Sequence, residues 1–354
     1  MKKIVYLIGA GFSAPLGIPT MKDFFQVSRK LEIASRPHFK NVFDYWERSS
    51  HVKNYSKINM LNIEELLSLI EMEEFLGNTK LSSDIRQYIA DVVNHFEVFN
   101  KPLRGELVEE VLPSNWYKLL FNGPLINNYG YFFLGLINKS IQPSKNHELW
   151  QFKINDNLHA DTDYSIISLN YDMVFENVED IFLRKLGQET TTKILCNDIS
   201  KSGLKFIKLH GSADRPESII SPTWNKINSL ERKTEWISAY SLLANADEIR
   251  VLGYSMPKSD TYSKYFLMTC LKDSSRIEKF SVICLDDREK NVYKNYRDFF
   301  DDDLNMLSFI PVNIEGYLEC IVEDLQKRIT NDVNNNVKLP TLENGHYSFI
   351  KSIK

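Results

Sequence analysis

Five short apolar runs, each stopped by small or polar residues, fix what this chain can fold into. They are 3–8 (KIVYLI), 163–170 (DYSIISLN), 204–210 (LKFIKLH), 248–255 (EIRVLGYS) and 280–287 (FSVICLDD). Runs of this length, rich in β-branched residues and bounded by turn formers, read as buried strands. Helical periodicity fills stretches between them, at 172–186 and 229–246, and returns at 316–329. Strand alternating with helix predicts an α/β fold, a parallel sheet with helices on both faces. One long departure follows the first strand. Residues 61–76 place Ile63, Leu66, Leu67 and Ile70 at helical spacing, residues 85–99 do so with Ile85, Ile89, Val92, Val93 and Phe96, and 129–139 follows suit. This predicts a large helical insertion over about 25–160 inside a domain spanning 1–300, with 301–354 as a C-terminal helix and tail packing on it. The last fifteen or so residues, beyond the asparagine run at 334–336, are expected to be loosely held.

Composition removes several function classes. A chain of 354 residues has room for one large domain with an insertion, and 43% hydrophobic with 25% charged residues is ordinary for a globular protein. A net charge of −4 argues against a dominant basic surface, so nucleic acid is not indicated. Cys196, Cys270, Cys284 and Cys320 form no C-x-x-C pair, which excludes a cysteine-only zinc ribbon and fits a reducing cytoplasm. The run Ile4–Ile8 is too short for a signal h-region and no transmembrane-length stretch follows, so no membrane partner is expected.

In an open parallel sheet, ligands bind beyond the carboxyl ends of the strands, so the strand terminators form a list of candidate site residues. The first is Gly9-Ala10-Gly11-Phe12-Ser13, where glycines allow a sharp turn and close approach to a pyrophosphate, whose charge can sit at a following helix N-terminus. A dehydrogenase fingerprint tolerates Ala14, but the acidic residue due about twenty positions on, closing a second strand, is missing; Glu32 falls in helix-like sequence. A plain glycine turn would read the same way. In Asn170-Tyr171-Asp172, Asp172 also suits a helix N-cap, whereas Asn170 can both donate to and accept from a ligand. His210-Gly211-Ser212 brings a group that titrates near neutrality to a strand end beside a permissive glycine. Gly253-Tyr254-Ser255 with nearby Asp260, and Asp286-Asp287, complete the set, although small and acidic residues are also common in turns. His38, His51, His95, His147, His159 and His346 show no ligand spacing and read as structural or surface residues.

Together these segments resemble the sirtuin-like family, and its bacterial defence-associated, NAD-consuming branch more closely than its protein deacylases. Gly9-Ala10-Gly11-Phe12-Ser13 followed by Gly17-Ile18-Pro19 is similar to the family's G-A-G-x-S and G-I-P motifs, Asn170-Tyr171-Asp172 to its N-x-D, His210-Gly211 to its catalytic pair, and Gly253-Tyr254-Ser255 to its later G-x-S. The deacylases carry a zinc module with paired cysteines, and their first motif continues D-F-R. Here no such cysteines exist, Thr20-Met21-Lys22 follows Pro19, and Ile219-Ile220-Ser221-Pro222-Thr223-Trp224 stands where a peptide-clamping segment would be. The resemblance implies a Rossmann-like, NAD-binding catalytic domain over 1–300 that takes NAD+ as substrate, without a metal, and cleaves the nicotinamide–ribose bond.

On that resemblance, Asn170 positions water, Asp172 engages the nicotinamide carboxamide and His210 acts as general base. Gly9, Ala10, Gly11 and Ser13 lie against the pyrophosphate with Gly253 and Ser255 nearby, and Asp286 or Asp287 takes the adenosine ribose. The implied role is depletion of cellular NAD during phage infection, controlled by homo-oligomerisation or by a separately encoded partner such as a HerA-like ATPase. Two alternatives stand beside it: an NAD-dependent protein deacylase, and a non-catalytic module that senses NAD or ADP-ribose.

Overall fold

The computed structural model describes residues 1–21, 23–50, 60–96, 121, 123–146, 149–156, 161–185, 193–220, 233–300, 305–331 and 341–353. The chain opens with β1 (Lys2–Ile8) and continues through helices α1 (Phe24–Ser28), α2 (Pro37–Ser50), α3 (Ile63–Phe75), α4 (Ser82–His95) and α5 (Pro124–Leu136). A hairpin of β2 (Lys139–Asn146) and β3 (Leu149–Asp156) leads to β4 (Thr162–Ser168), α6 (Val174–Lys185), β5 (Leu195–Cys196) and β6 (Leu204–Lys208). Then follow α7 (Lys233–Ala244), β7 (Glu248–Leu252), α8 (Thr261–Asp273), β8 (Lys279–Ile283), α9 (Asn291–Phe300), β9 (Leu307–Ile310), α10 (Ile314–Asn331) and α11 (Leu342–Ser352).

Seven strands form one sheet in the order β5-β6-β4-β1-β7-β8-β9, every neighbouring pair parallel. The alternation of β1 explains the layers. Ile4, Tyr6 and Ile8 face a core built with α5, α6, α10 and α11, while Val5 and Leu7 face a second core with α7, α8 and α9. Burial on both faces is why these strands read as continuous apolar runs. With the two-residue β5 set aside, the strands taken in chain order lie as 3-2-1-4-5-6, the doubly wound, Rossmann-like arrangement. Its order reverses between β1 and β7, and that switch point is where such sheets bind ligands.

Within 25–160, α1 to α4 enclose their own core around Phe24, Phe39, Ile63, Leu67, Tyr88 and Ile89. Helix α5 belongs instead to the sheet, with Tyr129 and Phe132 packed against Phe12, Phe132 also against Tyr6, and Phe133 against Phe182. It begins earlier than the 129–139 pattern suggests because Pro124 occupies its first turn after Gly123 (φ 122°). The hairpin β2–β3 is antiparallel and separate from the main sheet. No described helix is long and apolar enough to cross a membrane.

The C-terminal segment differs from the loosely held tail expected from its polarity. Residues 341–352 form a capped helix: Thr341 and Asn344 make a reciprocal capping box, and Glu343 docks on the sheet. Arg250, with its side chain fully buried on β7, donates to Glu343 (2.6 and 2.7 Å), to Glu248 (2.8 Å) and to the Tyr6 hydroxyl (2.9 Å). Tyr164 donates to Glu343 at 3.0 Å, and Lys2 pairs with Glu248 at 2.7 Å. Burial pushes the Glu248 carboxyl up, but Arg250 and Lys2 outweigh it and hold it well below the carboxylate range.

His346 completes this network. It is fully buried, its Nδ1 is 3.1 Å from the Tyr317 hydroxyl, and its Nε2 is 4.0 Å from Glu248. Burial, reinforced by Arg250 and more weakly by Lys279 and Lys2 against the opposing pull of Glu248, pushes its pKa down to about 2. A histidine kept neutral in the fold contributes stability above its unfolded pKa of about 6.5, and that contribution is lost as pH falls. Between pH 6.5 and 5, above the range where Glu248 adds its own loss, unfolding free energies by urea titration should fall more steeply for the wild type than for His346→Gln. The difference in slope approaches about 1.4 kcal/mol per pH unit; parallel curves would contradict it.

Candidate active site

The site builds up from the carboxyl ends of four adjacent strands, β6, β4, β1 and β7. Gly9 directly follows β1, and its amide donates to Leu252 O at the end of β7 (2.9 Å). Gly11 N then donates to Gly253 O (2.8 Å). A Cβ on Gly9 would lie 2.6 Å from Tyr254, one on Gly11 2.9 Å from Gly253, and one on Gly253 (φ +66°) 2.3 Å from Phe12 N. The glycines therefore let two loops of the protein pass at backbone contact across the switch point, a role that the sequence pattern assigned to approach on a pyrophosphate. No α-helix opens at this motif either: residues 10–12 and 14–16 are single 3-10 turns, ended by Gly17 at φ +88°. The helix N-terminus expected to face a phosphate is absent here, and the amides of Gly9, Gly11, Phe12 and Ser13 donate within the protein, to Leu252 O, Gly253 O, Gly9 O and Ala10 O. Gly253→Ala should cost about 1–3 kcal/mol through overpacking and exceed the cost of Gly17→Ala, whose Cβ meets open space. Equal losses in urea unfolding would contradict the close-approach account.

Ser13 is buried and donates to Asp172 Oδ2 at 2.6 Å, across 159 residues of sequence. Asn170, two residues past β4, donates from Nδ2 to Gly9 O (3.0 Å) and toward Ser13 Oγ (3.2 Å). Both amide hydrogens are thereby committed, which leaves Oδ1 as the group to meet a ligand. The backbone of Asn170 is fixed by a bond to Ser168 Oγ (3.1 Å). Asp172 does two things at once: Oδ1 accepts from Val174 N (3.2 Å), capping α6, while Oδ2 holds Ser13. From the other side Tyr129 donates to Phe12 O, and Phe12 stacks on Phe175 with centroids 5.3 Å apart. The first loop is thus gripped by α5, α6 and the N-x-D turn.

His210 lies two residues past β6, the next strand over, and is 2% exposed. Its ring centroid is 6.5 Å from both Tyr171 and Trp236. Gly211 turns at φ +99°, where a Cβ would strike Ser218 O at 2.2 Å, and Ile220 N returns to His210 O (3.0 Å). The insertion reaches this loop directly: Asn94 on α4 donates to Ala213 O (3.1 Å), and Tyr171, Ala213 and Ile219 share the core of α1 to α4. Residues 221–224, part of the segment that stands in place of a peptide clamp, lie outside the described residues, as do His51, His147 and His159.

The outer candidates serve turns as well. Ser255 is exposed and its carbonyl accepts from Asn295 (3.2 Å). Asp286 accepts from Val292 N (2.9 Å) and Tyr293 N (3.1 Å), and Asp287 from Asn291 N (3.0 Å), so both carboxylates cap α9 beyond β8. Asp260 accepts from Tyr254 OH (2.8 Å) and caps α8 through Ser263 N (3.1 Å). Burial pushes the Cys270 and Cys284 thiols up to about 12, so neither is an activated nucleophile. Among the described residues no group of three or more His, Cys, Asp or Glu side chains could hold a metal ion. A groove of about 410 Å³ at the opposite, amino-terminal end of the sheet has its Lys2 and Glu248 paired with each other.

Sequence reasoning missed Lys208, Tyr129 and Asn94. Lys208 carried a signal, since it precedes His210 by two residues and so shares its face of the strand. The fold and site define a doubly wound α/β protein with polar side chains gathered at its switch point. No protein-family model and no curated protein matches the chain. Among solved structures it is similar to Sir2 in complex with the inhibitor EX-527, 2'-O-acetyl-ADP-ribose and a deacetylated p53 peptide, at 13% identity and a TM-score of 0.34 over 91% of this chain and 93% of that one. It is similar also to Sir2Tm bound to a propionylated peptide, at 13% identity and a TM-score of 0.33 over 91% and 92% of the two chains.

Proposed function

We propose that the chain hydrolyses NAD+ at the nicotinamide–ribose bond, releasing nicotinamide and ADP-ribose. The observation that carries this reading is the hydrogen-bonded cluster of Ser13, Asn170 and Asp172 at the switch point, with His210 at the adjoining strand end. The C–N bond to nicotinamide breaks, a C–O bond to water forms, and the proton leaves with a base. Because the transition state has oxocarbenium character, the work of the site is to hold the ribose, orient water and exclude competitors. Asn170 uses Oδ1 to orient the water. Asp172, anchored by Ser13 and α6, accepts from the nicotinamide carboxamide. His210 takes the proton from the water or a ribose hydroxyl, the role of a general base. The Gly9–Ser13 loop lies against the pyrophosphate, with Gly253 and Ser255 nearby, and Asp286 or Asp287 takes the adenosine ribose.

The biological reading rests on the resemblance of the motifs: depletion of cytoplasmic NAD as a defence against phage, held in check by homo-oligomerisation or by a separate partner such as a HerA-like ATPase. A stable, fully active monomer on size-exclusion chromatography would contradict control by assembly. The chemistry is tested by incubating the full chain with NAD+, alone and with an acetyl-lysine peptide, and identifying the products. Free nicotinamide and ADP-ribose in both arms are expected. O-acetyl-ADP-ribose formed only with the peptide would replace the reading with deacylation, and tight binding without turnover would replace it with sensing.

A further inference from the structure

Lys208 ends β6, and its side chain is 11% exposed. Lysine is rarely buried unless it is paired, and this one is tied to two different segments. Its Nζ donates to Asp172 O (2.5 Å) and Tyr171 O (3.3 Å) in the turn after β4, and to Glu176 Oε1 (3.2 Å) in the first turn of α6. It also donates to Ser212 Oγ (2.8 Å), two residues beyond His210. Around this centre Ala213 N donates to Tyr171 O (2.8 Å), and Ser212 Oγ to Met173 Sδ (3.0 Å).

An ammonium carries three donors and no acceptor, so one side chain can bridge carbonyls, a hydroxyl and a carboxylate that belong to separate strand ends. The two segments it joins hold Asn170 and Asp172 on one side and His210 on the other. From this geometry we infer that Lys208 is a positioning residue: its ammonium locks the turn after β4 to the turn after β6 and so sets Asp172 and His210 in register. The inference rests on the proposed NAD+ cleavage for its catalytic consequence, but not for the tie itself.

Lys208→Met keeps the aliphatic stem and removes the ammonium. It also leaves Glu176 without its cation, so Lys208→Met/Glu176→Gln removes the stranded charge and protects folding. Two readouts separate the tie from the chemistry. Hydrogen exchange in the ligand-free protein reads the tie: the amides of Val174, Ser212 and Ala213 should exchange about tenfold faster in both variants, the loss of about one hydrogen bond. NAD+ kinetics read its consequence: kcat should fall about 10²-fold, as misplacement of reacting groups by about an ångström does, with KM changed far less. Unchanged exchange in the folded double variant overturns the inference, as does a kcat loss matched by the unfolded fraction alone. A wild type inert toward NAD+ with faster exchange in the variants supports the tie and overturns the NAD+ reading instead.

Discussion

His210→Ala is expected to lower NAD+ cleavage by about 10²–10⁴-fold in a protein that remains folded, the range for loss of a general base. The ring sits at the carboxyl end of β6, against Tyr171 and Trp236, and among the described residues no other histidine follows a strand of the main sheet. His346 is committed to Tyr317 at the far side of the sheet, and His38 to Asp91 on α4. Asn170→Ala should fall in the same direction for another reason: it removes Oδ1, and it also frees Gly9 O and Ser13 Oγ from the amide that holds them. A urea titration of each variant separates lost chemistry from lost fold. Retained turnover in folded His210→Ala would remove the general base from the mechanism.

Arg250→Ala carries the largest expected loss of stability, about 3–5 kcal/mol, because it leaves Glu343 buried without its cation and takes from Glu248 one of the cations that hold it, leaving Lys2 and Lys279. A domain's whole stability is about 5–15 kcal/mol, so this one change brings the chain close to unfolding. The loss concentrates on α11, whose Glu343 reaches the sheet through Arg250 and Tyr164. Arg250→Ala/Glu343→Gln should recover part of the loss, since the charge stranded at Glu343 is gone. A loss below about 1 kcal/mol, the range of an exposed ion pair, would contradict the reading of a buried network that anchors the C-terminal helix.

The sheet was legible because strands buried on both faces must be apolar along their whole length, and KIVYLI or FSVIC permits little else. The same logic hid Arg250: inside EIRVL it looks like a break in an apolar run, and only the third dimension supplies Glu343, 93 residues later. α11 was hidden likewise, since a polar segment after an asparagine run gives no sign of a partner on β7. At the site, the terminator rule located Gly9, Asn170, His210 and Gly253 beyond adjacent strands, yet it could not give the bond from Ser13 to Asp172. It also could not separate a glycine that admits a ligand from one that admits a neighbouring loop, and at Gly253 the structure shows the latter. Lys208 was passed over because a lysine within a strand pattern usually points to solvent, and its burial depends on the turn after β4.

The central claim is that the cluster at the switch point cuts NAD+. The most direct measurement is a single turnover with the full chain in excess over NAD+, followed by separation of the nucleotides, so that even a slow resting activity is seen. The account predicts equimolar nicotinamide and ADP-ribose from the wild type and, over the same time, about a hundredth as much or less from His210→Ala. NAD+ recovered intact from the wild type, or identical product from both proteins, would contradict it.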